Sequence, residues 1–201
     1  MKGRKTRKTR KATAMMKNDY KVRAFNFLKS LYPYIEKSLD DPYKCMDRVM
    51  AFNEEKHRKV GIAWGSVRVA FISSDYVIKY DYDEVYAKRY GGCKDEEEFY
   101  NFAKEKGFES LFAEISSFEY MGRTFYVMPR VNMRASQEGE RAEYYLDGAE
   151  YEFVNDYLYD LHDENFGWKN NRLVIFDYAY NVFMEQKNYK GRWFALYNLD
   201  V

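Results

Sequence analysis

Residues 159–179 read YDLHDENFGWKNNRLVIFDYA. Asp160 is followed five residues later by Asn165, and after a polar turn an apolar run, Leu173 to Phe176, leads into Asp177. Asp160, Asn165 and Asp177 thus set a carboxylate, an amide and a second carboxylate around a short polar turn and an apolar run. Asp163 and Glu164, between them, read as loop acids. The preceding stretch EYYLDGAEYEFVNDYLY (143–159) reads as a helix that delivers the chain directly into this turn.

The chain of 201 residues is 46% hydrophobic and 19% aromatic, enough for one sizeable core or one domain with an appendage, and far too apolar for a disordered chain. The expectation is a soluble cytoplasmic protein, because no apolar run approaches the roughly 20 residues of a membrane span and no secretory leader opens the chain. Cys45 and Cys93 lack metal-ligand spacing and, with only His57 and His162 beside them, read as two reduced thiols. Charge is distributed unevenly. Residues 1–17 hold eight of the 33 Lys and Arg and none of the 32 Asp and Glu, which leaves 25 basic residues against 32 acidic ones in the rest. Such a basic arm suits nucleic acid or another polyanion through counterion release, and equally suits a solvated tail or docking peptide.

Residues 18–59 read as a helical extension. Val22, Phe25, Phe27, Leu28 and Leu31 form one apolar stripe before Pro33, and Cys45, Met46, Val49, Met50 and Phe52 form a second. From Val60 the period changes to that of strands. VGIAWGSVRVAFI (60–72) and DYVIKYDYD (75–83) predict a hairpin turning near Ser73, Ser74 and Asp75. KDEEEFYNFAKEK (94–106) predicts a helix, and SSFEYMGRTFYVMPRV (116–131) a strand pair turning at Met121 and Gly122 and ending at Pro129. NMRASQEGERAE (132–143) reads as loop.

Strand pair, helix, strand pair, connector, helix, polar loop, strand and aspartate follow one another in the order of a protein kinase core. The kinase catalytic loop H-R-D-x-x-x-x-N is followed by a strand and D-F-G. Asp160 to Asn165 supplies D-x-x-x-x-N and Asp177-Tyr-Ala stands in the place of D-F-G, while Leu158 and Tyr159 replace the His and Arg. The sequence resembles the minimal kinases, most of all the small serine/threonine kinases encoded by bacteriophages, which would place it in the host cytoplasm. The resemblance implies an α+β kinase-like fold with residues 60–130 as a small antiparallel-sheet N-lobe, 131–201 as a reduced helical C-lobe, and 1–17 and 18–59 as arm and helical extension. Only 24 residues follow Asp177, too few for the activation segment and helical subdomain that bind peptides in full-length kinases.

The resemblance also implies roles. ATP and Mg²⁺ are the expected cofactors, with Asn165 and Asp177 as metal ligands, Asp160 as the group that accepts or orients the acceptor's proton, and His162 near the γ-phosphate. Lys79, in the alternating run VIKY (77–80), takes the place of the V-A-I-K lysine, and a lone ammonium buried there would need a carboxylate or phosphate. Asp95, Glu96, Glu97 and Glu98 compete to be its partner. Glu96 is chosen because Phe99, Tyr100 and Ala103 stand at i+3, i+4 and i+7 on its face. Gly61 and Gly65 in GIAWGS stand where the glycine-rich loop would cradle phosphates, and Met128 and Arg130 where the hinge would hold adenine. The implied activity is transfer of the γ-phosphoryl group of ATP to a hydroxyl, with Ser or Thr of a protein as the leading acceptor. Two alternatives stay open: an inactive pseudokinase scaffold that holds nucleic acid or a partner protein through residues 1–17, and a small-molecule kinase.

Overall fold

The structure, a computed structural model, describes residues 19–132, 142–159, 161 and 163–183; the basic arm, Asp160 and His162 lie outside the described residues. Helix α1 (Tyr20–Ile35) starts where the Asp19 side chain accepts from the Lys21 amide at 2.9 Å. Pro33 lies inside this helix and does not end it. Tyr32 and Ile35, both buried in the core, hold the last turn in place beyond the missing N–H. Helix α2 (Pro42–Lys56) carries proline at its first turn under the Asp41 cap and stops where His57 turns left-handed at φ 50°. Val22 and Met50, counted in the apolar stripes, are exposed, and the buried faces run through Ala24, Leu28 and Leu31 of α1 and Cys45, Val49 and Phe52 of α2.

The strands that follow are β1 (Gly61–Trp64), β2 (Arg68–Ile72) and β3 (Tyr76–Asp81), then β4 (Ser116–Tyr120) and β5 (Arg123–Pro129). They form one antiparallel sheet in the order β1-β2-β3-β5-β4. The hairpin expected over 60–83 is therefore a three-stranded meander. Residues 60–72 break in two at Gly65–Val67, where the Gly65 amide donates to the Arg68 carbonyl at 3.0 Å. Two helices, not one, connect β3 to β4: α3 (Glu84–Tyr90) and α4 (Cys93–Glu105).

Alternation along each strand sorts the sheet into two faces. Ile62, Val69, Phe71, Ile78, Phe125 and Val127 face α1 and α2 and share one apolar cluster with them. Tyr126, Met128 and Val77 face the other way, toward a second cluster built on Phe99 of α4. That cluster continues into Phe153 and Val154 of α5 (Gly148–Tyr157) and into β6 (Phe166–Lys169) and β7 (Arg172–Ile175). The N-terminal helices thus cover the back of the sheet and leave its front to the second cluster and a cleft.

The β6–β7 hairpin takes the place of the polar loop expected before Leu173. Asn170 and Asn171, both left-handed at φ 52° and 62°, make its two-residue turn. Gly167 lets β6 approach the end of the sheet, since a Cβ there would lie 2.8 Å from the Asn132 carbonyl oxygen, and Trp168 and Asn132 exchange backbone hydrogen bonds at 2.8 and 3.2 Å. Together these elements make an α+β protein with an antiparallel sheet.

Candidate functional site

Strand parity determines which side chains reach the front of the sheet. Tyr76, Ile78 and Tyr80 of β3 turn to α1 and α2, so Val77, Lys79 and Asp81 turn to the front. A burial of this kind is costly for an ammonium unless it is paired. Lys79 is 5% exposed, and its Nζ donates to both oxygens of Glu96 at 2.9 Å and to the Phe176 carbonyl at 3.0 Å. Glu96 stands on the first turn of α4 and is fully buried. Of the four candidate acids it is the one that meets Lys79. Asp95 instead caps the helix, accepting from the Gly92 amide at 2.9 Å, and Glu97 accepts from the Ser117 amide and hydroxyl at 2.7 and 2.9 Å.

A second cation shares Glu96. Arg68 of β2 donates to Glu96 Oε1 at 2.6 Å and reaches Asp177 Oδ1 at 3.3 Å. Burial pushes the Glu96 carboxyl above the usual carboxylate range while Lys79 and Arg68 pull it back. Burial also works against the Arg68 charge, yet Glu96 and Asp177 override it and hold the guanidinium above its ordinary value. Arg68 was not singled out in the sequence. Its signal is a charged residue in the alternating run SVRVAFI, in cross-strand register with Asp81.

Helix α4 is fastened at its start. Asp81 accepts from the Cys93 amide at 2.9 Å and from its thiol at 3.1 Å. Gly91, at φ 93°, brings the chain so close to the far side of the site that a Cβ would lie 2.5 Å from the Ala179 carbonyl oxygen. Buried Asn181 completes the join, donating to the carbonyls of Tyr178 at 2.8 Å, Ala179 at 3.2 Å and Asp95 at 3.3 Å. Glu96 and the segment after Asp177 are therefore tied to each other through main chain as well as through charge.

The β6–β7 hairpin brings Asn165 and Asp177 together. Phe166 pairs with Ile175, so the residues flanking the pair become neighbours, and the Asn165 carbonyl accepts from the amides of Phe176 at 2.9 Å and Asp177 at 3.3 Å. Both residues line a cleft of about 940 Å³ under the front of the sheet, and so do Gly65, Lys79, Met128 and Arg130. Ala70, Ile72 and Val77 give this cleft an apolar wall. Gly61 is not among its lining residues. It opens β1 opposite Ile72, four residues before the turn, and the Gly65 amide is given to the Arg68 carbonyl, so that N–H is not left for a phosphate. Arg130 likewise has its amide on the Asp75 carbonyl at 3.0 Å and its guanidinium on the Ser73 carbonyl at 3.0 Å, which leaves its main-chain N–H no part in holding a base.

Among the described residues no three His, Cys, Asp or Glu side chains gather as a metal cage. Asn165 and Asp177 are an amide and a carboxylate, hard oxygen donors that suit Mg²⁺, which is commonly held by one or two carboxylates together with phosphate. No described helix is long and apolar enough to cross a membrane.

No protein-family description and no curated protein matches the chain. Among solved structures it is similar to the Legionella pneumophila Lpg2603 kinase bound to IP6, at 16% identity and a TM-score of 0.40, over 71% of this chain. The chain spans 58% of the length of that protein.

Proposed function

We propose that the chain is a minimal kinase-like phosphotransferase that binds ATP with Mg²⁺ in the cleft and moves the γ-phosphoryl group to a hydroxyl, with Ser or Thr of a protein as the acceptor. One observation carries the reading: a strand lysine, Lys79, buried at the edge of the cleft and held at 2.9 Å by both oxygens of a helical glutamate, Glu96, beside an aspartate and an asparagine that line the same cleft. A strand lysine paired with a helical glutamate is the arrangement that kinases use to aim the lysine at nucleotide phosphates. Lys79 answers to this description in strand, partner and exposure.

Within this reading each residue has a task. Glu96 holds the Lys79 side chain fixed through both of its oxygens, so that the ammonium is oriented before the nucleotide arrives. Asp177 and Asn165 would hold Mg²⁺, which neutralises phosphate charge when bound. Ala70 and Val77 provide apolar surface for a base, and Gly65 lines the same cleft. Asp160, by its place in the D-x-x-x-x-N turn, accepts the proton of the attacking hydroxyl.

The test is transfer itself. Protein incubated with Mg²⁺, γ-labelled ATP and a cell lysate should label a protein acceptor, and Asp160→Asn should abolish labelling while leaving nucleotide binding in place. Full labelling by Asp160→Asn would remove Asp160 from the chemistry. Label appearing only in small molecules would move the acceptor assignment away from proteins.

A further inference from the structure

Among the described residues, Arg68 touches both ends of the charged cluster. Its side chain is 15% exposed and lines the cleft, with Glu96 Oε1 at 2.6 Å and Asp177 Oδ1 at 3.3 Å from the same guanidinium nitrogen. Glu96 does not need Arg68 to keep Lys79, because Lys79 engages both of its oxygens. A guanidinium carries five donors in a flat fork suited to phosphate oxygens as well as carboxylates. A divalent cation on Asp177 would face the guanidinium charge at the same oxygen, and two cations cannot share that carboxylate without weakening one another.

We propose, resting on the reading of the cleft as an Mg²⁺ and nucleotide site, that Arg68 is an exchangeable counter-ion: it neutralises Asp177 in the unliganded protein and transfers to a phosphate when nucleotide binds, which frees Asp177 for Mg²⁺. Arg68 then opposes metal alone and favours nucleotide. The nucleotide, by drawing the guanidinium off Asp177, raises the affinity for metal, and linkage requires the metal to raise the affinity for nucleotide by the same factor. Lys79 has no such role, because its carboxylate partner is Glu96.

Arg68→Gln separates the two effects, and they have opposite signs. Binding of Mn²⁺ alone, followed by the loss of the free-ion electron paramagnetic resonance signal, should become about tenfold tighter. Binding of ATP in EDTA, followed by calorimetry, should become about tenfold weaker, the usual size of one charge-assisted hydrogen bond. A residue that merely supported the fold would weaken both. Arg68→Lys, which keeps the charge but loses the fork, should fall between wild type and Arg68→Gln on both measurements, and carries the test if Arg68→Gln does not fold. Mn²⁺ binding no tighter in the variant than in wild type overturns the exchange while leaving the nucleotide site standing. Absence of Mg²⁺-dependent ATP binding in the wild-type protein overturns both.

Discussion

Glu96→Gln should destabilise the protein more than Lys79→Met, although the two residues form one ion pair. The reason lies in the third member. Glu96 is fully buried and accepts from Lys79 at 2.9 Å and from Arg68 at 2.6 Å, so neutralising it takes the carboxylate partner from buried Lys79 and leaves Arg68 only Asp177, at 3.3 Å. Removing one partner from a buried pair costs about 3–5 kcal/mol, and Glu96→Gln belongs at the upper end. Lys79→Met leaves the carboxylate its bond to Arg68 and puts an apolar chain of similar length in place of a lysine that is 5% exposed, so its cost should be about half as great. At about 2–4 °C per kcal/mol for a chain of this size, Glu96→Gln should lower the melting temperature by about 10 °C or more. Thermal melts and urea titrations of both variants and the double variant give the order and the coupling. The double variant should cost clearly less than the sum, since the stranded lysine is gone. Equal costs, or a larger loss for Lys79→Met, would refute the account of Glu96 as the shared anion of two cations.

Gly91→Ala should be among the most damaging small substitutions. It forces an L residue to φ 93° and sets a Cβ 2.5 Å from the Ala179 carbonyl oxygen, so we expect a loss of about 2–4 kcal/mol by denaturant titration, against a few tenths for Gly148→Ala, whose Cβ meets nothing within 4 Å. Both thiols should resist reagents at pH 8 in the folded protein and react only on unfolding, because burial raises Cys93 well above its ordinary value and Cys45 to about 12. Folded thiols that stay protonated contribute fully below the unfolded value of about 9; for Cys45 that contribution is lost as pH rises from 9 toward 12, and for Cys93 as pH rises well above 9. Cys45→Ala should flatten this alkaline loss. Deleting residues 1–17 should weaken retention on a nucleic-acid column and reduce its salt dependence, while unchanged retention between 50 and 200 mM salt in the intact chain would refute a polyanion role for the arm.

The parts of the fold that alternate or repeat clearly were legible in the sequence. YVIKYD announced β3, and its parity put Lys79 opposite Tyr80 in facing. The face shared by Glu96, Phe99 and Ala103 pointed to the acid that meets Lys79, because a helix that buries Phe99 must bury its neighbour one turn earlier. Short elements were not legible. FGWK makes β6 only because Gly167 lets it close on Asn132, a contact that no local pattern carries, and EVYAKRY is too short to show a helical period. The apolar stripe counted before Pro33 did not show that α1 runs on to Ile35, because the burial that holds its last turn comes from the sheet. Gly61 looked like part of a phosphate loop because spacing alone cannot say which glycine sits at the turn. Arg68 escaped notice since its meaning depends on Glu96 and Asp177, which stand 28 and 109 residues away in sequence.

The central claim is that the cleft binds ATP through Lys79 and through a metal on Asp177, and ligand-induced thermal stabilisation tests it most directly. A ligand at one hundred times its Kd stabilises the native state by about 2.7 kcal/mol, which corresponds to a rise of about 5–10 °C here. ATP with Mg²⁺ should produce that rise, ATP with EDTA much less of it, Lys79→Met and Asp177→Asn little, and Asp160→Asn nearly all. A folded wild-type protein whose melting temperature does not move with Mg²⁺ and ATP would contradict the claim.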